Sequence, residues 1–136
     1  MSNHTRRMLE SHLSGTAVDP NALVECIQAG FNCEQSCTAC ADACIGEGDT
    51  QMLACCIRFC LDRTDVCDAT GKIMSRQTAF EAQMASATLE ACARACRTCG
   101  DECEQHADHH EHCRVCAEVC RHCEGACNNA LSAVGG

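Results

Sequence analysis

The chain contains very few aromatic residues and almost no proline. Among its 136 residues there is no Trp or Tyr, and Phe31, Phe59 and Phe80 are its three phenylalanines. A single proline and the scarcity of β-branched runs argue against a β-sheet. Ala, Glu, Leu, Arg and Gln are frequent, and these residues favour helices. The composition therefore predicts an all-α protein.

The sequence also lacks apolar stretches long enough for a secretion signal or a membrane span. Its first twenty residues, MSNHTRRMLESHLSGTAVDP, contain no such stretch. The formal net charge of −9 makes nucleic acid an unsuitable partner. We therefore expect a cytoplasmic protein that binds neither nucleic acid nor a membrane.

Cysteine, in contrast, is abundant, with eighteen residues in the chain. The spacing Cys-x3-Cys-x2-Cys-x3-Cys occurs three times. Steps of four, three and four residues keep all four thiols on one face of an α-helix. Sulfur thus takes the positions that a helix normally gives to its core residues. The three repeats are Cys33–Cys37–Cys40–Cys44, Cys92–Cys96–Cys99–Cys103 and Cys116–Cys120–Cys123–Cys127.

Helix start and stop signals divide the chain into an N-terminal segment, residues 1–18, and a bundle, residues 19–134. Asp19-Pro20 is a strong helix start, and Gly46 supplies a stop. Asp49 or Thr50 caps the second helix, Ser75 caps the third, and a capping box at Asp108 starts the fourth. The four predicted helices cover about 20–45, 50–73, 76–106 and 108–131. Short connections predict an up-down-up-down four-helix bundle, preceded by a short helix within residues 3–13.

A cysteine can serve as a small buried hydrophobic residue, and that use would explain one or two of them. Eighteen cysteines at successive core layers point instead to metal binding in a reducing compartment. Disulfides within one helix are disfavoured, because neighbouring Cβ atoms lie about 5–6 Å apart, whereas a disulfide prefers about 3.5–4.5 Å. The candidate ligands are Cys26, Cys33, Cys37, Cys40, Cys44, Cys55, Cys56, Cys60, Cys67, Cys92, Cys96, Cys99, Cys103, Cys113, Cys116, Cys120, Cys123 and Cys127.

The arrangement of the thiols favours Cu(I) over other soft metals. Zinc and iron–sulfur sites usually draw their ligands from loops around a closed group of four. Here the thiols form a continuous ladder. Seven pairs at i and i+4 can each offer two sulfurs to a Cu(I) ion with linear, two-coordinate geometry. Each Cu(I) displaces about one proton and leaves a neutral unit, so neutrality predicts on the order of eighteen ions per chain, about one per thiol.

The repeated Cys-x3-Cys pairs on all four predicted helices, across residues 20–132, resemble the cytosolic bacterial copper storage proteins. The resemblance implies a four-helix bundle that stores many Cu(I) ions and a homotetramer of such bundles. Exported relatives carry a twin-arginine signal. Arg6-Arg7 is not followed by an apolar region, so the cytosolic branch is expected. Copper donor or acceptor proteins are expected as further partners.

Histidines cluster where the third and fourth helices meet. His106 and His110 continue the thiol stripes to this end, and we interpret them as Cu(I) ligands at an entrance, with Met52 nearby. His109 and His112 are interpreted as solvated loop residues, and His4, His12 and His122 as surface residues. We expect apolar residues such as Leu23 and Leu131 to close the opposite end.

Other interpretations of the sequence remain. A zinc or broad heavy-metal buffer is the main alternative, and a thiol redox protein is a weaker one, since no βαβ context surrounds the Cys-x2-Cys pairs. Neither a Ser-His-Asp set nor a phosphate loop indicates an enzyme. The apolar stripes at Val24, Ile27 and Phe31, and at Ile57 and Leu61, suit either helix packing or an oligomer interface.

Overall fold

The computed structural model describes residues 4–13 and 15–135. Within these ranges the chain is helical and contains no strand. None of the described helices is long and apolar enough to cross a membrane. The five helices are α1 (His4–Glu10), α2 (Pro20–Gly46), α3 (Ala54–Ser75), α4 (Ala82–His106) and α5 (Glu111–Gly135).

The four long helices pack as a closed ring, which confirms the predicted bundle. α2 packs against α3, α3 against α4, α4 against α5, and α5 against α2, while α1 packs lightly on α2. Sulfur contacts show that neighbours are antiparallel, because Cys44 near the end of α2 lies 3.8 Å from Cys56 near the start of α3. Cys67 of α3 likewise lies 3.8 Å from Cys92 of α4. The inner faces of all four helices therefore enclose one core.

The start of α2 follows its sequence signals. Asp19 is the N-cap, its carboxylate accepts a hydrogen bond from the Ala22 N–H at 3.0 Å, and Pro20 occupies the first turn. This capping satisfies a backbone donor that the helix itself leaves unpaired. The helix ends at Gly46, one residue beyond the predicted boundary.

The connection between α3 and α4 differs from the prediction. Ser75 is the last residue of α3 rather than the cap of the next helix, and residues 76–81 form a loop. Buried Gln77 holds this loop, because its side chain donates to the Met74 carbonyl and accepts from the Ala17 N–H. Ala79 has a positive φ of 53°, which interrupts the helix. The side chain of Glu81 then caps α4.

Other helix boundaries shift by smaller amounts. Turns cover residues 50–53, so α3 begins at Ala54 instead of directly after Asp49 or Thr50. α5 begins at Glu111, where the His110 carbonyl accepts the first helical hydrogen bonds, and continues to Gly135. The predicted N-terminal helix is α1, whose Leu9 is buried against the bundle.

Candidate metal centre

Seventeen of the eighteen cysteines are buried and none is in a disulfide. We call these seventeen the sulfur column. Their side chains fill the bundle from Cys44 and Cys113 at one end to Cys26 and Cys127 at the other. The exception is Cys55, whose side chain is exposed and lies outside the column.

Sulfur atoms of the column contact one another across helices as well as along them. The Cys60 Sγ lies 3.6 Å from the Cys99 Sγ and 3.9 Å from the Cys116 Sγ. The Cys56 Sγ lies 3.7 Å from the Cys103 Sγ, and Cys99 and Cys103 are 3.9 Å apart on α4. Such contacts join sulfurs of all four helices in the half of the column that contains Cys60, and Cys67 and Cys92 lie 3.8 Å apart in the other half.

Three groups of four sulfurs are close enough to share an ion. At a metal–sulfur distance of about 2.3 Å, the ligands of a tetrahedral ion lie about 3.8 Å apart, so the observed separations suit metal binding with little movement. Two groups share Cys60 and Cys116, so both can hold an ion at one time only if these two thiolates bridge the two ions. The groups are Cys37–Cys60–Cys99–Cys116, Cys40–Cys60–Cys103–Cys116 and Cys67–Cys92–Cys96–Cys123.

Burial and thiol–thiol hydrogen bonds set the protonation of the column. Burial raises the pKa of Cys44 and Cys113 above the usual thiol value. These thiols are therefore neutral without metal and pack as small apolar side chains. Hydrogen bonds from other thiols, first that of Cys116, lower the pKa of Cys37. Metal entering the column must displace the protons of the neutral thiols.

One buried cation lies inside the sulfur column. Arg63 of α3 is fully buried, its Nη1 donates to the Cys37 Sγ at 2.7 Å, and its Nη2 donates to the Cys33 Sγ. Its Nε has no hydrogen-bond partner in the described part of the chain. Burial acts to lower the pKa of Arg63, but the negative charge of neighbouring cysteines, first Cys96, outweighs it and raises that pKa.

Sequence reasoning missed Arg63, although a signal for it was present. Cys56, Cys60, Arg63 and Cys67 repeat the four-three-four spacing of the other three helices. Arg63 thus takes the place of the third cysteine in a fourth repeat. A charged residue at a core position, flanked by cysteines at i−3 and i+4, indicates a buried side chain with anionic partners.

A histidine, rather than a thiol alone, closes one end of the column. The Nδ1 of His112 lies 3.5 Å from the Cys40 Sγ and 3.6 Å from the Cys113 Sγ. These three residues and Cys44 are close enough to hold an ion together. The interpretation of His112 as a solvated loop residue is therefore wrong. It lies one position beside the Cys113 stripe, but its ring turns inward to reach α2.

Glu47 joins two histidines at this end. Its Oε2 lies 2.9 Å from the His112 Nε2 and 3.1 Å from the His110 Nδ1, and the two rings stack with centroids 5.3 Å apart. Burial would lower the pKa of His112, but hydrogen bonds with Cys40 and Glu47 outweigh it and raise that pKa. The hydrogen bond with His112 in turn lowers the pKa of Glu47. We call Glu47, His110 and His112 the histidine end.

Comparison with known proteins agrees with this site. The copper storage protein family matches residues 19–132 of the chain. The chain belongs to the copper storage protein family. No curated protein matches the sequence closely. The structure of Ccsp from Streptomyces lividans loaded with 10 copper equivalents is 46% identical, with a TM-score of 0.93, and the match covers 95% of this chain and 98% of that one.

Two further structures from Streptomyces lividans are similar. A cytosolic copper storage protein with five coppers is 51% identical, with a TM-score of 0.81 over 82% of this chain and 93% of that one. A histidine-to-alanine variant of Ccsp is 50% identical, with a TM-score of 0.85 over 87% of this chain and 98% of that one. At these identities the likeness extends beyond the fold to the family.

The remaining histidines of this copper storage protein have varied surroundings. The Nε2 of His106 lies 3.0 Å from the Glu102 Oε2 on its own helix, and the ring is mostly buried. His109 is exposed, as is Met52 beside the same end. His122 is exposed and pairs with Glu25 at 2.9 Å, as a surface residue would.

The end opposite the histidines is apolar. Leu23, Met74 and Leu89 are fully buried there, and Leu131 packs against them partly buried. α1 adds Leu9 to the same cluster. An aqueous ion that reaches this end meets a packed apolar surface with few ligands, so the histidine end offers the better approach to the sulfur column.

Proposed function

We propose that this chain stores Cu(I) as copper–thiolate units along the whole sulfur column. The observation that best supports this proposal is the column of buried sulfurs, in which contacts of 3.6–4.0 Å link all four helices. Cu(I) accepts two or three thiolates, and a shared thiolate lets neighbouring ions lie close without accumulating charge. The capacity follows as on the order of one ion per buried thiol.

The seventeen buried cysteines are the proposed ligands, together with His112 at the histidine end. His106 and His110 are proposed to pass ions inward rather than to hold many of them. Cys55 is the weakest of the predicted ligands because it is exposed. We propose residues 19–134 as the storage domain and residues 1–18 as an N-terminal segment, of which Leu9 packs against the bundle.

Several properties of the relatives support the wider proposal. We propose a cytosolic location, because a similar protein is described as a cytosolic copper storage protein. A homotetramer is proposed from the family resemblance, and exposed apolar side chains such as Phe31 and Leu61 offer surface for it. The proposed role is storage without catalysis, with copper exchanged with donor and acceptor proteins.

A zinc buffer is the alternative that the four-sulfur groups support. Tetrahedral zinc sites need four ligands each, so the three groups hold at most three Zn(II) ions, even if Cys60 and Cys116 bridge two of them. Zinc would therefore fill the column sparsely. Cu(I), which shares thiolates, would fill it densely.

Anaerobic titration of the reduced protein with Cu(I), and separately with Zn(II), tests the proposal. After competition with a chelator for each metal, we expect on the order of one Cu(I) per thiol and only a few Zn(II) per chain. Retention of only four or five copper ions would refute dense storage. Equal numbers of the two metals would favour a general buffer.

A further inference from the structure

Arg63 contacts the sulfur column through both arms of its guanidinium. Nη1 and Nη2 each donate to one sulfur, and these sulfurs belong to Cys37 and Cys33, an i,i+4 pair on α2. The planar fork of an arginine suits two parallel acceptors held at a fixed separation. Among the described residues, the buried polar or charged side chains are Arg63, Thr70 and Gln77, so Arg63 is the one buried cation.

A permanent cation changes the charge balance of copper storage. A guanidinium keeps its proton in proteins, so Arg63 carries a positive charge in the empty and in the loaded column. One Cu(I) held by two unshared thiolates has a net charge of −1. A buried net charge is costly unless an opposite charge lies beside it. Elsewhere in the column, neutrality is reached only when thiolates are shared between ions.

The Cys33–Cys37 pair therefore differs from the other pairs on single helices. Its two sulfurs lie beside a counter-ion that can compensate one excess negative charge. A metal-bound thiolate keeps lone pairs, so it can accept the Arg63 hydrogen bonds while it binds copper. These bonds also hold both sulfurs in position. The orphaned Nε of Arg63 is a further donor available to an anionic neighbour.

We propose that Arg63 is a positioning residue that makes Cys33 and Cys37 a two-coordinate Cu(I) site whose excess negative charge the guanidinium neutralises. This inference rests on the proposed copper storage function. It adds that the column is not uniform along its length. One site at its middle layer holds an anionic copper–thiolate unit, and the remaining thiolates reach neutrality by sharing ions.

Replacement of Arg63 tests this site. We expect Arg63→Met and Arg63→Gln to weaken the affinity of one Cu(I) site by at least tenfold, as measured by competition with a chromophoric Cu(I) chelator. Arg63→Lys keeps the cation but lacks the planar fork, so its loss should be smaller than that of Arg63→Gln. Arg58→Met removes an exposed cation from the same helix and serves as the matched control. X-ray absorption should show a smaller two-coordinate fraction in Arg63→Met at equal copper loading.

A second background separates a local effect from a structural one. Cys33→Ala with Cys37→Ala should remove the same ion, and adding Arg63→Met should then cause no further loss. Far-UV circular dichroism checks that each variant is helical. If Arg63→Met does not fold, the comparison of Arg63→Lys with Arg63→Gln tests whether the site needs a cation at this position.

Three results would overturn the inference. The first is unchanged copper retention in Arg63→Met, and the second is equal losses in Arg63→Lys and Arg63→Gln. The third is a full further loss when Arg63→Met is added to the variant in which Cys33 and Cys37 are both replaced by Ala. A different result would refute copper storage itself: the unmodified protein would release all its copper to the chelator. If the unmodified protein retains copper and Arg63→Met matches it, only the role of Arg63 is refuted.

Discussion

The Nδ1 atom of His112 lies 3.5 Å from the Sγ atom of Cys40, across the gap between α5 and α2. This contact links the solvent-facing cluster of Glu47 and two histidines to the first sulfurs of the column. An ion held by the imidazole is already within reach of Cys40 and Cys113. Transfer from the histidine end to the column therefore needs only a change of ligand.

His112 should contribute to equilibrium binding as well as to transfer. We expect His112→Phe to weaken the copper site formed with Cys40, Cys44 and Cys113 by about tenfold or more, because one ligand is lost. Chelator competition at low copper loading measures the change. The exposed His109, replaced by Phe, is the matched control and should behave as the unmodified protein. Equal behaviour of both variants would mean that His112 is not a ligand.

His106 and His110 should affect rates more than capacity. They lie at the outer ends of the thiol stripes, and most of the proposed ligands are deeper. We expect His106→Phe with His110→Phe to slow copper loading, or chelator-driven removal, while the final stoichiometry changes little. Stopped-flow measurement in both directions tests this, with His122→Phe as the control. Unaltered rates would show that neither residue serves as an entrance.

Glu47 should control the protonation of His112. Because the carboxylate raises the pKa of His112, we expect Glu47→Gln to lower that pKa in the metal-free protein, as measured by NMR titration. The pair should stabilise the fold fully between the unfolded glutamate pKa of about 4.3 and the unfolded histidine pKa of about 6.5, and lose this effect as pH rises through the raised pKa of His112. On the acid side, the effect disappears as pH falls through the lowered pKa of Glu47. An unshifted His112 titration in the variant would contradict the ion pair.

The metal-free protein should already be folded. Protonated thiols pack as small apolar groups, and buried leucines close the far end of the bundle. Far-UV circular dichroism of reduced protein without metal should show high helicity. Leu89→Ala should lower its free energy of unfolding by about 2–5 kcal/mol in urea, through loss of buried contacts. A coil spectrum that becomes helical only with copper would reject the preformed bundle.

The spacing of cysteines is sufficient to predict the bundle and its sulfur column. Steps of four and three residues determine which side chains share a helix face, whatever the rest of the fold does. Cys33, Cys96 and Cys120 therefore lie inside, as predicted. The prediction of Cys55 as a ligand does not follow this rule, because Cys55 lies one position beside Cys56 and its side chain is exposed outside the column.

Features that depend on contacts between helices could not be predicted in this way. His112 lies off its stripe, and only the approach of α2 shows that its ring meets Cys40. The late start of α4 depends on Gln77, which bonds to Ala17 from a distant part of the chain. Arg63 is an intermediate case, because its spacing places it in the core but does not identify its sulfur partners.

The most direct test of dense storage is a crystal structure of copper-loaded protein with anomalous scattering at the copper edge. We predict copper peaks along the whole sulfur column, from the Cys40–Cys44–Cys113 group to the Cys67–Cys92–Cys96–Cys123 group and beyond to Cys127. Peaks at successive layers, bridged by shared sulfurs, would support one ion per thiol as the approximate capacity. Copper found only at the histidine end, with the inner thiols metal-free, would contradict the account.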